Sequence, residues 1–526
     1  MKKILLVVFL FLVLFYIPFI NKAVHIDDNN FIEMSKALDF SLSVKPGFVY
    51  YFMGNKIENW NPFNSSHPPF IPIYLKITSL MTGYNDYLMH ICFLLFPVLL
   101  LLSTFLLAKE LNVEPIPALM IICGNAALLP VSHNLMADAP MLSLWILAAY
   151  FLISGIRKNL PGRIILAFII LTIAGFVSYQ TFLILPAFYI YLIVNKRFKG
   201  VIVSAGFLPV LIILFVLFYI FFRYYSPISG IIAEMKLWKT PERFFMKGLS
   251  IPINIGVSML FLLMMGYKEI AASKKDMLLA AISFLIVILP VLSLSYPLWS
   301  SLWLILLAAA GVFSILYASK KAFGRNEDGG LNLFLIAWLA IVLFYNFFFM
   351  TFGAIRYIMP AIVPLSIILM KNLIKGRRLM IAGLLTAALG LAVAYGDYLY
   401  ASSYRDFAEE VKMTVGDGRY RVWYTGEWGM HYYMDKNGFR YLTLDSNEPK
   451  EGDLIIMAEV PNFWKPSPEL RNRMKLIDIV EIKTWYPIKV MGLHVRAGYY
   501  SSVWGYQPFT VSDGYVEKFG IFRVIQ

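Results

Sequence analysis

The chain returns again and again to uninterrupted apolar runs, and these constrain its fold more than any motif. About 20 apolar residues cross the hydrocarbon core of a bilayer as a helix, fewer where flanking side chains snorkel. By that ruler about thirteen candidate spans appear, near residues 4–20, 86–108, 116–131, 140–156, 163–178, 180–195, 201–222, 249–267, 277–295, 299–319, 331–350, 357–372 and 379–396. The chain therefore reads as a polytopic α-helical membrane protein. Composition agrees: 59% of residues are hydrophobic and 15% charged, against roughly 45–50% and 25% in soluble domains.

The formal net charge of +14 does not point to nucleic acid, because the basic residues sit in short clusters between apolar runs. Arg157, Lys158 and Arg163 form one cluster, Lys196, Arg197 and Lys199 a second, and Lys268, Lys274 and Lys275 a third. Lys320, Lys321 and Arg325, then Lys371, Lys375, Arg377 and Arg378, complete the series. The alternate connections at 133–138, 178–180 and 295–300 carry no Lys or Arg, and the turn at 351–356 carries only Arg356. Positive-inside bias then places the N-terminus in the cytoplasm and everything after Tyr395 outside a cell membrane. Met1-Lys2-Lys3 and the apolar run behind it resemble a signal peptide. No small-residue cleavage site follows, so the run is read as a retained first helix.

The spacing predicts a membrane domain over 1–396, with a long first outer loop at about 21–85, and a soluble outer domain over 397–526. In the tail, charge rises and turn residues recur at short intervals. A helix is expected over 405–414 and strands over 421–424, 453–458, 476–484 and 488–495, making a small α/β unit. Cys92 and Cys123 both fall in apolar segments, which suggests neither a disulfide nor a metal framework. No P-loop, zinc spacing, dinucleotide fingerprint or nucleophile elbow is present.

Chemistry-bearing residues concentrate on the outer side. Asp27-Asp28 opens an amphipathic run over 29–38. One carboxylate is enough to cap that helix; alternatively the pair holds a general base beside the bilayer surface. His67-Pro68-Pro69 is a rigid turn that aims the imidazole before a helix near Ile71. It is either structural or a partner for the acidic loop or a phosphate. Asp138, two residues before Pro140, is an ordinary helix start or a second acid on the same face. Arg356, with Tyr357 beside it, is either a snorkelling arginine or a phosphate ligand, since a guanidinium fork matches phosphate oxygens. Arg223 is a weaker candidate of the same kind. The tail's Gly426-Glu427-Trp428-Gly429-Met430-His431-Tyr432-Tyr433 reads first as aromatic packing and second as acceptor recognition.

Taken together, the early Asp-Asp, the His-Pro-Pro turn, Leu135-Met136-Ala137-Asp138-Ala139-Pro140, Arg356-Tyr357-Ile358-Met359-Pro360 and the outer tail resemble the GT-C glycosyltransferases. The nearest likeness is to the prokaryotic dolichyl-phosphate-mannose protein mannosyltransferases and the related aminoarabinose transferases. The resemblance implies transfer of a sugar, hexose or pentose, from a polyprenyl-phosphate donor to an extracytoplasmic glycan, lipid or protein, with inversion. It further implies catalytic roles for Asp27, Asp28 and Asp138, with Asp27 as base. The family's usual Asp-Glu pair is here Asp-Asp, one methylene shorter at residue 28. Donor-phosphate contacts fall to Arg356, Tyr357, His67 and Arg223. No cofactor is implied and no divalent cation is indicated, although paired acids can hold one. A transporter of lipid-linked sugars is the alternative; it usually shows repeat symmetry or charges inside its helices, and neither is seen.

Overall fold

The computed structural model describes residues 2–41, 44–58, 67–197, 240–323, 329–415 and 420–526. The expected span at 201–222 and Arg223 lie outside the described residues. Among the described residues nine helices are long and apolar enough to cross a membrane.

In chain order the helices of eight or more residues are α1 (Lys2–Phe15), α2 (Asp28–Ala37), α3 (Phe70–Thr82), α4 (Asp86–Phe93), α5 (Leu95–Glu110), α6 (Pro115–Ile122), α7 (Asp138–Arg157), α8 (Pro161–Val177) and α9 (Thr181–Val194). They continue as α10 (Pro241–Met265), α11 (Lys274–Leu292), α12 (Leu298–Ala322), α13 (Gly329–Phe348), α14 (Ile355–Asn372), α15 (Arg377–Val415) and α16 (Trp428–Lys436). α8 and α9 are apolar but shorter than 18 residues.

The segment expected to span at 116–131 is not one helix. α6 ends at Ile122, and turns run on to a 3₁₀ segment at Val131–His133. The break sits at Gly124-Asn125. Asn125 Nδ2 bonds Ile121 O and Ser258 O, each at 3.0 Å, while a Cβ on Gly390 of α15 would come within 2.0 Å of Gly124 O. Two backbones thus meet where only glycine fits. α10 and α12 pack in the same way: added Cβ atoms on Gly256 and Gly311 would fall 1.8 Å and 1.9 Å from backbone oxygens of the facing helix. Small residues let helices approach closely where lipid supplies no hydrophobic drive between them.

The helix expected at 405–414 is the outer part of α15, which runs unbroken through residue 397. Its 39 residues extend about 58 Å, roughly twice the hydrocarbon thickness, so about half of it stands clear of the bilayer. That half packs on a sheet. Phe407 stacks on Phe519 with ring centroids 3.7 Å apart, and Tyr404 donates to Glu517 Oε2 at 2.6 Å.

Strands β1 (Tyr50–Phe52) and β2 (Asn55–Ile57) form a hairpin between α2 and α3, and the tail carries β3 (Val422–Thr425), β4 (Arg440–Tyr441), β5 (Leu454–Ala458) and β6 (Met474–Ile482). After these come β7 (Ile488–Lys489), β8 (Met491–Gly492), β9 (Ala497–Gly498), β10 (Thr510–Val511) and β11 (Glu517–Val524). The main sheet has the order β4-β3-β5-β11-β6; β3 is parallel to β4 and β5, and β11 is antiparallel to β5 and β6. The strand expected over 488–495 is instead two short strands, because Val490 interrupts the pairing and the chain turns after Gly492.

Candidate active site

Asp27 stands immediately before α2, yet its side chain makes no capping bond. Its Oδ2 accepts from Arg356 Nη1 at 2.8 Å, across 329 residues of sequence. The capping interpretation is therefore not what this carboxylate does. Just ahead of it Ile26 has φ +46°, a conformation that costs a β-branched residue on the order of 1–3 kcal/mol and persists only where surrounding contacts enforce it.

Asp28 does a different job. Fully buried, it accepts from His25 N through Oδ2 at 3.0 Å and from Leu135 N through Oδ1 at 2.7 Å, tying the segment after α1 to the one before α7. Burial pushes its carboxyl up to about 8, against the Lys22 charge and those two N–H bonds. The two adjacent acids thus sit in unlike environments: Asp27 is part-exposed beside a guanidinium, and Asp28 is enclosed with both oxygens occupied.

Arg356 is not snorkelling, since it is 8% exposed at the start of α14. Nη2 donates to Tyr357 Oη at 3.2 Å, and Nη1 also approaches Met136 Sδ at 3.5 Å. The guanidinium carbon lies 4.9 Å from the Tyr357 ring centroid and 5.8 Å from that of Tyr500. Arg356 Nε is buried with no hydrogen-bond partner among the described residues. Asp138, in the first turn of α7, is in electrostatic range of Arg356, His67 and Asp27. The His67 ring rests 5.0 Å from Phe31, in range of the same acids and of Arg356. Burial lowers its pKa, and the Asp27 and Asp138 charges oppose that shift. The structure thus brings Asp27, Asp138, His67, Arg356 and Tyr357 to one place, with Asp28 as the junction beneath them.

One cluster has no counterpart among the expected site residues. Lys22 Nζ, almost fully buried, bonds Asp397 Oδ2, Asn134 Oδ1 and Pro130 O. His25 Nε2 stands 3.2 Å from Asp397 Oδ1, and Tyr500 Oη donates to Asp397 Oδ2 at 2.9 Å. The available signal was an acid and a lysine each abutting an apolar run, a placement that is expensive unless the charges pair. Among the described residues no group of three or more His, Cys, Asp or Glu side chains is arranged to hold a metal ion.

Residues 66–223 match the family model described as dolichyl-phosphate-mannose-protein mannosyltransferase. The match covers less than a third of the chain, which is similar to that family over this segment. The matched segment begins just before His67-Pro68-Pro69 and contains Asp138, whereas Asp27, Asp28 and Arg356 lie outside it. Among solved structures, ArnT from Cupriavidus metallidurans bound to undecaprenyl phosphate aligns with 12% identity and a TM-score of 0.42, over 91% of this chain and 96% of that one. The apo form of the same protein aligns with 12% identity and a TM-score of 0.39, over the same shares. None of the curated proteins matches.

The tail's glycine and aromatic motif docks on the segment between α1 and α3. Glu427 Oε1 accepts from Met53 N at 2.8 Å and from Tyr441 Oη at 2.6 Å, and Tyr441 Oη accepts from Gly54 N at 2.8 Å. Tyr433 Oη accepts from Val24 N and donates to Asp86 Oδ2. Packing is thus the motif's visible work. His431 is stacked on Tyr441, with Asp435 Oδ2 at 3.2 Å and Glu427 Oε2 at 3.5 Å. Burial alone would lower its pKa, but Asp435 and Glu427 outweigh it and raise the pKa to about 10.

A histidine held charged in the folded state stabilises fully below its unfolded pKa of 6.5, and that stability is lost as pH rises through about 10. The melting temperature is expected to fall between those values. In His431→Gln the fall should flatten; an unchanged pH profile in that variant would show the imidazole neutral.

Proposed function

We propose that the chain is a membrane glycosyltransferase moving a sugar from a polyprenyl-phosphate donor to an extracytoplasmic acceptor. The supporting observation is the Asp27–Arg356 pair at 2.8 Å, because it sets a proton acceptor beside a phosphate-compatible cation. The acceptor hydroxyl attacks the sugar's anomeric carbon as the bond to the phosphate oxygen breaks, and Asp27 takes the hydroxyl proton. The polyprenyl phosphate leaves with its extra negative charge facing Arg356, Tyr357 and His67. Attack opposite the leaving group inverts the centre.

An ordinary carboxylate is a weak base for a hydroxyl, so proton transfer accompanies attack and positioning does most of the work. A guanidinium in a low-dielectric site is most effective where charge develops on the leaving group. The unpartnered Arg356 Nε leaves a donor for a phosphate oxygen.

This reading places about thirteen spans in the cell membrane, the N-terminus in the cytoplasm and residues 397–526 outside as a separate domain. The bilayer delivers the donor laterally. Asp28 and Asp138 complete the acidic side of the site, and Arg223 a second phosphate contact. The sugar is a hexose or pentose, and the acceptor a glycan, a lipid or a protein.

The test is release of polyprenyl phosphate from a radiolabelled donor by the protein in nanodiscs. Arg356→Gln is expected to weaken polyprenyl phosphate binding roughly 10–100-fold, the loss of a charge-assisted hydrogen bond. Wild-type affinity in that variant would remove Arg356 from the phosphate site.

A further inference from the structure

We propose that Tyr500, delivered by the tail, is a positioning residue that holds the Arg356 guanidinium for the donor phosphate. This rests on the reading of Arg356 given above. It also gives the tail a part in the site rather than beside it.

The argument starts with the backbone. The turn before α14 is clamped by tail residues: Ser502 N donates to Gly353 O at 2.7 Å, Gly353 N to Ser502 Oγ at 3.0 Å, and Ile355 N to Tyr499 O at 3.3 Å. The clamp is anchored to the membrane bundle, since Tyr499 Oη donates to Ala126 O at 2.8 Å. At Gly353 a Cβ would come 1.8 Å from Ser250 Oγ and 3.4 Å from Ser502 Oγ, so a side chain there would have to displace Ser250. One tail segment therefore sets the point at which Arg356 leaves the backbone.

Tyr500 then acts on the side chain. Its ring lies 5.8 Å from the guanidinium carbon, within cation–π reach. The ring cannot swing away, because its hydroxyl donates to Asp397 Oδ2 at 2.9 Å and accepts from Asn134 Nδ2 at 3.1 Å. Asp397 is held by Lys22 from the first outer segment, and Asn134 belongs to the second. Four parts of the chain thus fix one aromatic face under the cation, while Asp27 holds the cation from another side at 2.8 Å. A buried tyrosine bonds its hydroxyl in any core; what simple packing would not need is a guanidinium beside the ring.

The experiment uses the full chain in nanodiscs, with sugar-free polyprenyl monophosphate as the binding probe and KM measured separately for donor and acceptor. Tyr500→Leu is expected to weaken probe binding about tenfold and raise donor KM in step, with acceptor KM unchanged. Tyr500→Phe keeps the ring but frees it from Asp397 and Asn134, so its loss should fall between wild type and Tyr500→Leu. Should the leucine variant not fold, a series of increasingly fluorinated phenylalanines at position 500 keeps shape while draining the ring's electron density. Binding should weaken stepwise along it, which packing alone does not produce.

A flat fluorination series, leucine and phenylalanine variants that lose equally, or parallel rises in donor and acceptor KM would each overturn the proposal. Arg356→Gln separates the two levels: wild-type probe affinity there defeats the phosphate reading itself. Loss there combined with wild-type affinity in Tyr500→Leu defeats only the positioning role.

Discussion

Asp27→Asn is expected to lower turnover by roughly 10²–10⁴-fold, the usual worth of a positioned general base, with little change in fold or melting temperature. The substitution is nearly isosteric and removes a charge from a part-exposed position, so the packing around α2 should survive it. Donor affinity gives the second half of the prediction. Asp27 Oδ2 now occupies Arg356 Nη1, which makes the carboxylate a competitor for any phosphate that the arginine binds. Neutralising it should leave polyprenyl phosphate binding unchanged or tighter while turnover falls. A merely structural Asp27 would instead loosen donor and acceptor together. Single-turnover rates and probe affinity, measured on one preparation, separate the two. Turnover within about threefold of wild type would remove Asp27 from the proton-transfer step.

The second large effect is on stability. Lys22→Met is expected to destabilise the protein by about 3–5 kcal/mol, because it leaves Asp397 fully buried without its cation. Asp397→Asn should cost a similar amount by stranding Lys22. The double variant Lys22→Met with Asp397→Leu removes both charges and should recover most of the loss, since replacing a buried pair with apolar groups is often neutral. Thermal melts in nanodiscs read the cycle. If the double variant melts no higher than the worse single variant, the charges are not coupled as the geometry requires. The same double variant is expected to keep Tyr500 less well fixed, so its donor KM should remain raised after its melting temperature recovers.

Much of the fold could be read in advance because membrane class is written in local terms. A helix that must satisfy its own backbone in lipid declares itself by length and hydropathy. The exceptions have physical causes on view. α6 stops at Ile122, where Gly124 and Gly390 bring two backbones together, and hydropathy does not register a backbone contact. α15 runs through residue 397 because a change of solvent does not break a helix; the residues beyond Tyr395 remain compatible with helix down to Val415. Strand β11 was not anticipated at all. Its neighbours β5 and β6 both pair with it from far earlier in the chain, and Gly520 and Arg523 weaken its alternation.

For the site, the sequence by itself singled out the residues available on one expected face: the early aspartates, the His-Pro-Pro turn, Asp138 and the lone arginine at the start of α14. It could not determine what any of them touches. Helix capping was a sufficient account of Asp27 until the fold set Arg356 against it, and nothing in the sequence singled out Lys22 or Asp397. Only the tertiary structure decided that the segment after α1, the segment before α7 and the tail share one buried charge network with Tyr500 inside it. The reason is that periodicity and propensity act over a few residues. Pairing across 329 residues for Asp27–Arg356 and 375 for Lys22–Asp397 is set by how the helices and the tail pack, and burial then makes those pairs strong.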